Sequence, residues 1–444
     1  MRKLAIFCAF AWLLGAVTPG WSSTETVLHA FRGARFDDGA DPVADLVYDP
    51  VTNLVYGVTN TGGTGTACAA HCGTVFAVNH DGTFYSVVSN FQGGIDGANP
   101  QAGLVADAAG NLYGTTYNGG THNLGTVFKL TYSGGQFQES VLLSFSGKTA
   151  THVSGAHPLS RLVLDANGNL YGTTYAGGAS NHGEVFELTV SGTEQVLLSF
   201  TGANGENPKA GVVFGSGGVL WGTTYRGGGP NLGTVFQLIQ SGGIWQLNFS
   251  FPFAGPNGAN PAGAVVLDAF GNVFGTTQFG GPAGCAIAAA GCGVVFELQP
   301  NGNGYTETAI YNFSGGPMDG AAPLDDLTLA ADGTGTDLYG TASEGGTFGG
   351  NCSTVGCGTA FVLCSQTSSC SGSANWTIYP LVDFTGLHGL DPGRKPAAGL
   401  LIPPPGFDST PHGKGGCTSA CLGTVSQGAA NGNGAVVSLT GPGN

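Results

Sequence analysis

The chain has 444 residues, of which 81 are glycine, more than twice the usual share of about 7%. Only 9% are charged, with 27 Asp or Glu against 12 Lys or Arg and a net charge of −15, so nucleic acid and anionic membrane are excluded as partners because both need a basic face. Hydrophobic residues make up 41%, enough for a core. Glycine follows no Gly-X-Y period, and no apolar run reaches the ~20 residues that cross a bilayer, so neither collagen nor membrane insertion is expected.

Residues 1–23 read as a secretory signal: Arg2 and Lys3 precede an apolar stretch over residues 4–17, and small residues follow. The expected destination is outside the cytoplasm, at the cell surface, in the medium or in a periplasm. Cys8 leaves with that leader. Ten cysteines remain, in close pairs: Cys68/Cys72, Cys285/Cys292, Cys352/Cys357, Cys364/Cys370 and Cys417/Cys421. In an oxidising compartment these read as local disulfides. Four pairs are expected in or beside the loops joining second to third strands. Zinc on Cys68, His71 and Cys72 is the weaker reading, because a closed site wants four ligands.

From residue 42 onward four short phrases recur. Each unit opens on a proline (Pro42, Pro100, Pro158, Pro208, Pro261, Pro323, Pro396) followed by an apolar run such as Leu162-Val-Leu-Asp. The second phrase is Asn111-Leu-Tyr-Gly-Thr-Thr, Asn169-Leu-Tyr-Gly-Thr-Thr, Val219-Leu-Trp-Gly-Thr-Thr or Asn272-Val-Phe-Gly-Thr-Thr. The third is Gly-Thr-Val-Phe at Gly73, Gly125 and Gly233, with variants at Gly183, Gly293 and Gly358. The fourth ends in Phe, as in Val141-Leu-Leu-Ser-Phe and Val196-Leu-Leu-Ser-Phe. These runs are rich in Val, Leu, Thr, Tyr and Phe, and Gly, Asn, Asp or Pro bounds them, which is strand chemistry with turn punctuation.

Seven units of four antiparallel strands predict an all-β chain over residues 24–444, a single seven-bladed β-propeller. A β-sandwich would need no phrase repeated at blade-sized spacing. The last unit offers three strands, at residues 398–402, 422–426 and 435–439, around an insertion at 403–421. Its missing fourth strand is supplied by Val27-Leu-His-Ala-Phe31, which closes the ring.

These phrases resemble the bacterial GloVer tandem-repeat proteins (the choice-of-anchor group), through the Leu-Tyr-Gly-Thr-Thr cores, the Gly-Gly pairs at 119–120, 177–178 and 227–228, and the Gly-Thr-Val-Phe closers. The resemblance implies a secreted or surface-held repeat protein without an established activity. That family often ends in an anchoring segment. This chain ends at Gly441-Pro-Gly-Asn with no hydrophobic tail, so release is expected.

Catalytic motifs such as His-Glu-x-x-His and Gly-x-Ser-x-Gly are absent from the sequence. In a four-stranded blade, the loop entering the first strand and the loop joining the second to the third open on one face. The residues before the blade prolines are therefore expected to ring the central funnel. Asp41, Asn99, His157, Asn207, Asn260 and Lys395 are the ligand-binding candidates there, although Asn and Asp are also ordinary turn residues. Tyr117, Tyr175 and Tyr225 follow the second strands on the same rim, where they could stack on sugars or pack on the next blade. Arg161, with Asp45 or Asp326, stands in first strands where other copies have Gly or Ala, as does Asp325. Arg161 and its acidic partners are candidates for a channel ion pair. The expected function is non-catalytic binding of a glycan or protein, by a monomer without a cofactor. The rival is an extracellular lactonase-like hydrolase or polysaccharide lyase with a Ca²⁺-assisted funnel. The opposite face, built of short Asn-Gly turns, is expected to offer a partner little to grip.

Overall fold

The computed structural model describes residues 24–33, 37–285, 287–302, 304–316, 319–331, 336–346, 355–365, 376–384, 393–396, 398–402, 421–428 and 433–440. The leader at 1–23 and most of the 403–421 insertion lie outside these residues, as do Cys352, Cys370 and Cys417. Seven four-stranded antiparallel sheets form the blades of a propeller. Blade 2 shows the plan, with strands Val105–Ala106, Leu112–Thr116, Thr126–Ser133 and Gln136–Ser144 in order from the axis outward. The face that carries the blade prolines and the loops between second and third strands is the loop face. The other, with the tight turns, is the hairpin face.

The hydrophobic core is divided into seams. Seven clusters of buried side chains each draw on two neighbouring blades. The repeated phrases account for these seams. In the second phrase, glycine leaves room for the phenylalanine of the third: a Cβ on Gly222 would come within 2.5 Å of Phe236 Cζ. That ring also receives the fourth-phrase phenylalanine of the preceding blade edge to face. The pairs are Phe91–Phe128, Phe145–Phe186, Phe200–Phe236, Phe253–Phe296 and Phe313–Phe361, with centroids 5.1–5.3 Å apart. Such a pair is worth about 0.5–1.5 kcal/mol beyond its burial.

The first threonine of Gly-Thr-Thr reaches across to the next blade. Thr115, Thr173, Thr223, Thr276 and Thr341 donate to backbone carbonyls of Ser160, Ala210, Gly263, Asp325 and Ala398 at 2.8–3.5 Å. Thr424 links blade 7 to blade 1 in the same way, donating to Ala44 O at 3.3 Å, whereas blade 1 has Val58 at this position. The glycine opening the third phrase takes the blade proline: a Cβ on Gly233 (φ +92°) would stand 2.4 Å from Thr224 O and 2.6 Å from Pro261 Cδ. Thr223→Val, which keeps the shape and removes the buried hydroxyl, is expected to cost about 1–2 kcal/mol in urea denaturation, because it orphans the Gly263 carbonyl.

The ring closes as the sequence implies. Thr24–Ala30 pairs antiparallel with Ala435–Thr440 as the outer strand of blade 7. Phe31 is fully buried and meets Phe76 of blade 1 at 5.1 Å, repeating the seam made elsewhere. His29 stacks on Tyr85, and both hydrogen-bond the buried Asp38, at 3.2 and 2.5 Å.

Two expectations need correction, one in blade 7 and one at the cysteines. In the other six blades the prolines precede the inner strands. Their ladders are mostly two to four residues long and begin about five residues later, as at Val163–Leu164 after Pro158, because the intervening segment lines the axis and is held by the threonine bonds above. In blade 7 the inner strand is Gly393–Pro396, and residues 398–402 contribute one bridge, Leu401 to Leu422.

The cysteines are the second correction. Cys68–Cys72 and Cys285–Cys292 are disulfides in loops between second and third strands, and Cys357, Cys364 and Cys421 are also disulfide-bonded. However, Cys364 ends the third strand of blade 6, and Cys421 begins the second strand of blade 7. Cys364 and Cys421 thus both stand on the hairpin side, where one pair at most was expected.

Candidate functional site: the axial funnel

Each blade enters from the loop face through one residue in the left-handed region. Asp41, Asn99, His157, Asn207, Asn260, Ala322 and Lys395 have φ between +52° and +56°, or +58° at Asn260. Asn and Asp tolerate this conformation better than most side chains. The backbone explains the position: Asn207 N donates to His182 O at 2.8 Å, and Tyr225 N donates back to Asn207 O at 3.3 Å.

The side chains extend the same link. Nδ2 of Asn99, Asn207 and Asn260 donates to the carbonyls of Asn60, Tyr175 and Tyr225, at 2.8–3.0 Å, each in the preceding blade. His157 Nδ1 lies 3.0 Å from Tyr117 O. Asp41 accepts from Thr61 Oγ1 at 3.1 Å. Lys395 is half-buried, and its carbonyl accepts from Ser426 Oγ at 3.1 Å. The three asparagines and His157 thus tie one blade to the next around the mouth, whereas these bonds of Asp41 and Lys395 stay within their own blades.

The tyrosines form a more open set on three consecutive blades. All three are half-buried. Tyr117 stacks on the His157 ring at 4.6 Å. The Tyr225 hydroxyl donates to Gln278 Oε1 at 2.8 Å, and Lys209 Nζ stands 3.5 Å from the Tyr225 ring centroid. Burial, followed by the charge of Arg226, pulls the Lys209 ammonium down to about 8. Lys209, Arg226 and Gln278 did not emerge from the sequence reading. The signal for Lys209 was present, since the other blade prolines are followed by Val43, Gln101, Leu159, Ala262, Leu324 and Ala397.

Below the mouth lies a chamber of about 320 Å³ with Gln101, Ser160, Lys209 and Asp325 in its wall. Its floor is Asp45, Arg161 and Asp326, which also bound a second chamber beneath. The structure brings these three together: Arg161 Nη2 is 3.9 Å from Asp326 Oδ2. Asp45 Oδ1 accepts from Gly399 N at 2.6 Å, and Asp326 Oδ1 from Ala264 N at 2.5 Å. Asp325 Oδ2 accepts from Thr341 Oγ1 at 3.3 Å. Burial, then the charge of Asp326, pushes the Asp45 carboxyl up, with Arg161 pulling the other way. Burial, then Asp45 and Asp326, raises Asp325 well above the ordinary range. Among the described residues no group of three or more His, Cys, Asp or Glu is placed to hold a metal ion.

The molecule is thus a seven-bladed β-propeller with a polar axial funnel, waisted by charged side chains. A family profile, the Gloeobacter/Verrucomicrobia repeat, matches residues 16–236 and again residues 138–356. The chain belongs to that family.

No curated protein matches the chain. Among solved structures it is similar to a protein of unknown function from Dyadobacter fermentans, at 12% identity and a TM-score of 0.44, covering 96% of this chain and 100% of that one. It is also similar to a gluconolactonase of Xanthomonas campestris, at 13% identity and a TM-score of 0.40, covering 72% and 86%. A puromycin hydrolase matches at 11% identity and a TM-score of 0.49, covering 89% and 50%. Likeness at this level carries no argument about activity.

Proposed function

We propose that the protein is a secreted, non-catalytic propeller that binds a glycan over the loop-face mouth of the funnel. The observation that carries this reading is the arc of Tyr117, Tyr175 and Tyr225 on consecutive blades, with Lys209, a wall residue of the upper chamber, holding its ammonium against Tyr225. Flat aromatic faces suit the C–H faces of sugar rings, and a nearby ammonium and amides suit their hydroxyls. Residues whose side chains already link blades hold this arc in place, so little ordering entropy is lost on binding. Export is supported by the cysteines, since all seven described ones are disulfide-bonded.

A glycan array probed with the mature chain, followed by calorimetry on the best ligand, tests the proposal. Lys209→Gln and Tyr225→Leu are each expected to weaken binding at least tenfold. Binding to no glycan, or turnover of the ligand by the parent protein, would overturn it.

A further inference from the structure

The hairpin face departs from expectation. Beneath the charged waist lies a second chamber of about 450 Å³. Leu46, Phe214, Leu267, Leu329 and Leu400 are among its walls, and the floor is Asp45, Arg161 and Asp326. Phe214 and Leu267 immediately precede the turns at residues 215–219 and 268–272, so the chamber opens where the hairpins are. Phe214 remains 37% exposed at that opening. An apolar shaft ending in a charged floor is shaped for an amphiphile, head inward.

The sign of the head follows from the charges. Three carboxylates, those of Asp45, Asp325 and Asp326, crowd the waist, and the nearest cation among the side chains lining the two chambers at that level is Arg161. Arg161 reaches Asp326 only at 3.9 Å. Repulsion among the three acids and their burial disfavour their joint ionisation. One more positive charge, delivered with an apolar body that fills the shaft, would relieve that repulsion. A metal ion does not fit this description, since no cluster of ligating side chains converges there among the described residues.

We propose that the lower chamber binds an organic monocation with an apolar tail, an alkyl- or arylalkyl-ammonium, its ammonium on Asp45 and Asp326 and its tail along the leucine-lined shaft. This site lies on the face opposite the tyrosine arc and stands independently of the glycan reading.

Calorimetry on the mature chain with n-butyl-, n-hexyl- and n-octylammonium tests it. Affinity is expected to rise about three- to fourfold per methylene while the tail remains inside the shaft. Hexanol and hexanoate should bind at least tenfold more weakly than hexylammonium. Asp45→Asn should weaken hexylammonium at least fivefold, Arg161→Gln should strengthen it by removing the competing cation, and Tyr225→Leu should leave it unchanged. Should Arg161→Gln fail to fold, the hexanoate comparison and the tail-length series still decide. The proposal is overturned if hexanoate binds as tightly as hexylammonium, if affinity ignores tail length, or if Asp45→Asn binds as the parent does.

Discussion

Removal of residues 24–33 is expected to abolish cooperative melting of the whole propeller. That segment is a blade strand and a seam together: it pairs along Ala435–Thr440, buries Leu28 and Phe31, and brings His29 onto Tyr85 and Asp38. Without it the outer edge of blade 7 is open and the seam between blades 7 and 1 loses its aromatic pair. A milder variant separates packing from chain loss. Phe31→Ala should cost about 3–5 kcal/mol, in the range of other fully buried phenylalanines. Phe270→Ser, at a side chain 83% exposed, should shift stability by less than about 0.5 kcal/mol. Calorimetric melting of the three variants checks this. A truncated protein that melts as the parent does would contradict ring closure as a source of stability.

The second large effect concerns pH. In three blades the second threonine of Gly-Thr-Thr meets the threonine opening the third strand: Thr59–Thr74, Thr116–Thr126 and Thr224–Thr234, at 2.8–2.9 Å. In blade 3 that partner is Glu184, paired with Thr174 and fully buried. Burial, then the neighbouring Glu194 carboxyl, raises the Glu184 pKa far above the usual range. Glu194 is itself held by Ser154 at 3.0 Å and His152 at 3.5 Å. Burial also pushes Glu139 up to about 7, against the hydrogen bond from Ser89.

A carboxyl whose folded pKa is raised binds more protons folded than unfolded, so its contribution is present below the ordinary carboxylate range. That contribution is lost as pH rises through the folded value. The melting temperature should therefore fall from pH 5 to pH 8. Asp38 acts in the opposite sense. Burial would raise it, but bonds from His29, Tyr85 and the Arg32 amide hold it below 3.8, so its support fails only on stronger acidification. Glu184→Thr, which restores the residue that four other blades use, should stabilise the protein at pH 8 by about 1–3 kcal/mol and flatten the slope. Equal melting temperatures at pH 5 and 8, or a less stable Glu184→Thr at pH 8, would contradict this account.

Much of the ring was legible because each phrase has one mechanical task that its residue types disclose. Glycine beside phenylalanine, threonine at the end of a strand and proline at its entry recur because every seam is built alike. The N-terminal strand was legible for the same reason, since Phe31 ends a fourth phrase without a blade of its own. The mouth was harder to read. The polar residues before the prolines suggested a ligand ring, and in the structure their amides reach sideways to the previous blade. Sequence spacing places a residue on a rim but not the direction of its side chain. Lys209 stands after its blade proline, two residues beyond Asn207, whereas the positions expected to ring the funnel precede the prolines. The lower chamber left no signal of its own. Val213, Leu267 and Leu329 belong to apolar runs that read as strand core, and only closure into a ring turns one side of such a run toward an open axis.

On the proposed function, labour is divided along the chain: phrase residues build the ring, and residues that break the phrases serve the funnel. The most direct test measures melting temperature and glycan affinity together for Thr223→Val and Asn207→Ala against Lys209→Gln and Tyr225→Leu. The first pair should lower the melting temperature and keep affinity within twofold. The second pair should lose affinity at least tenfold and melt within about 2 °C of the parent, as expected for side chains outside the seams. Loss of affinity in the first pair at temperatures where it remains folded, or unchanged affinity in the second, would contradict it.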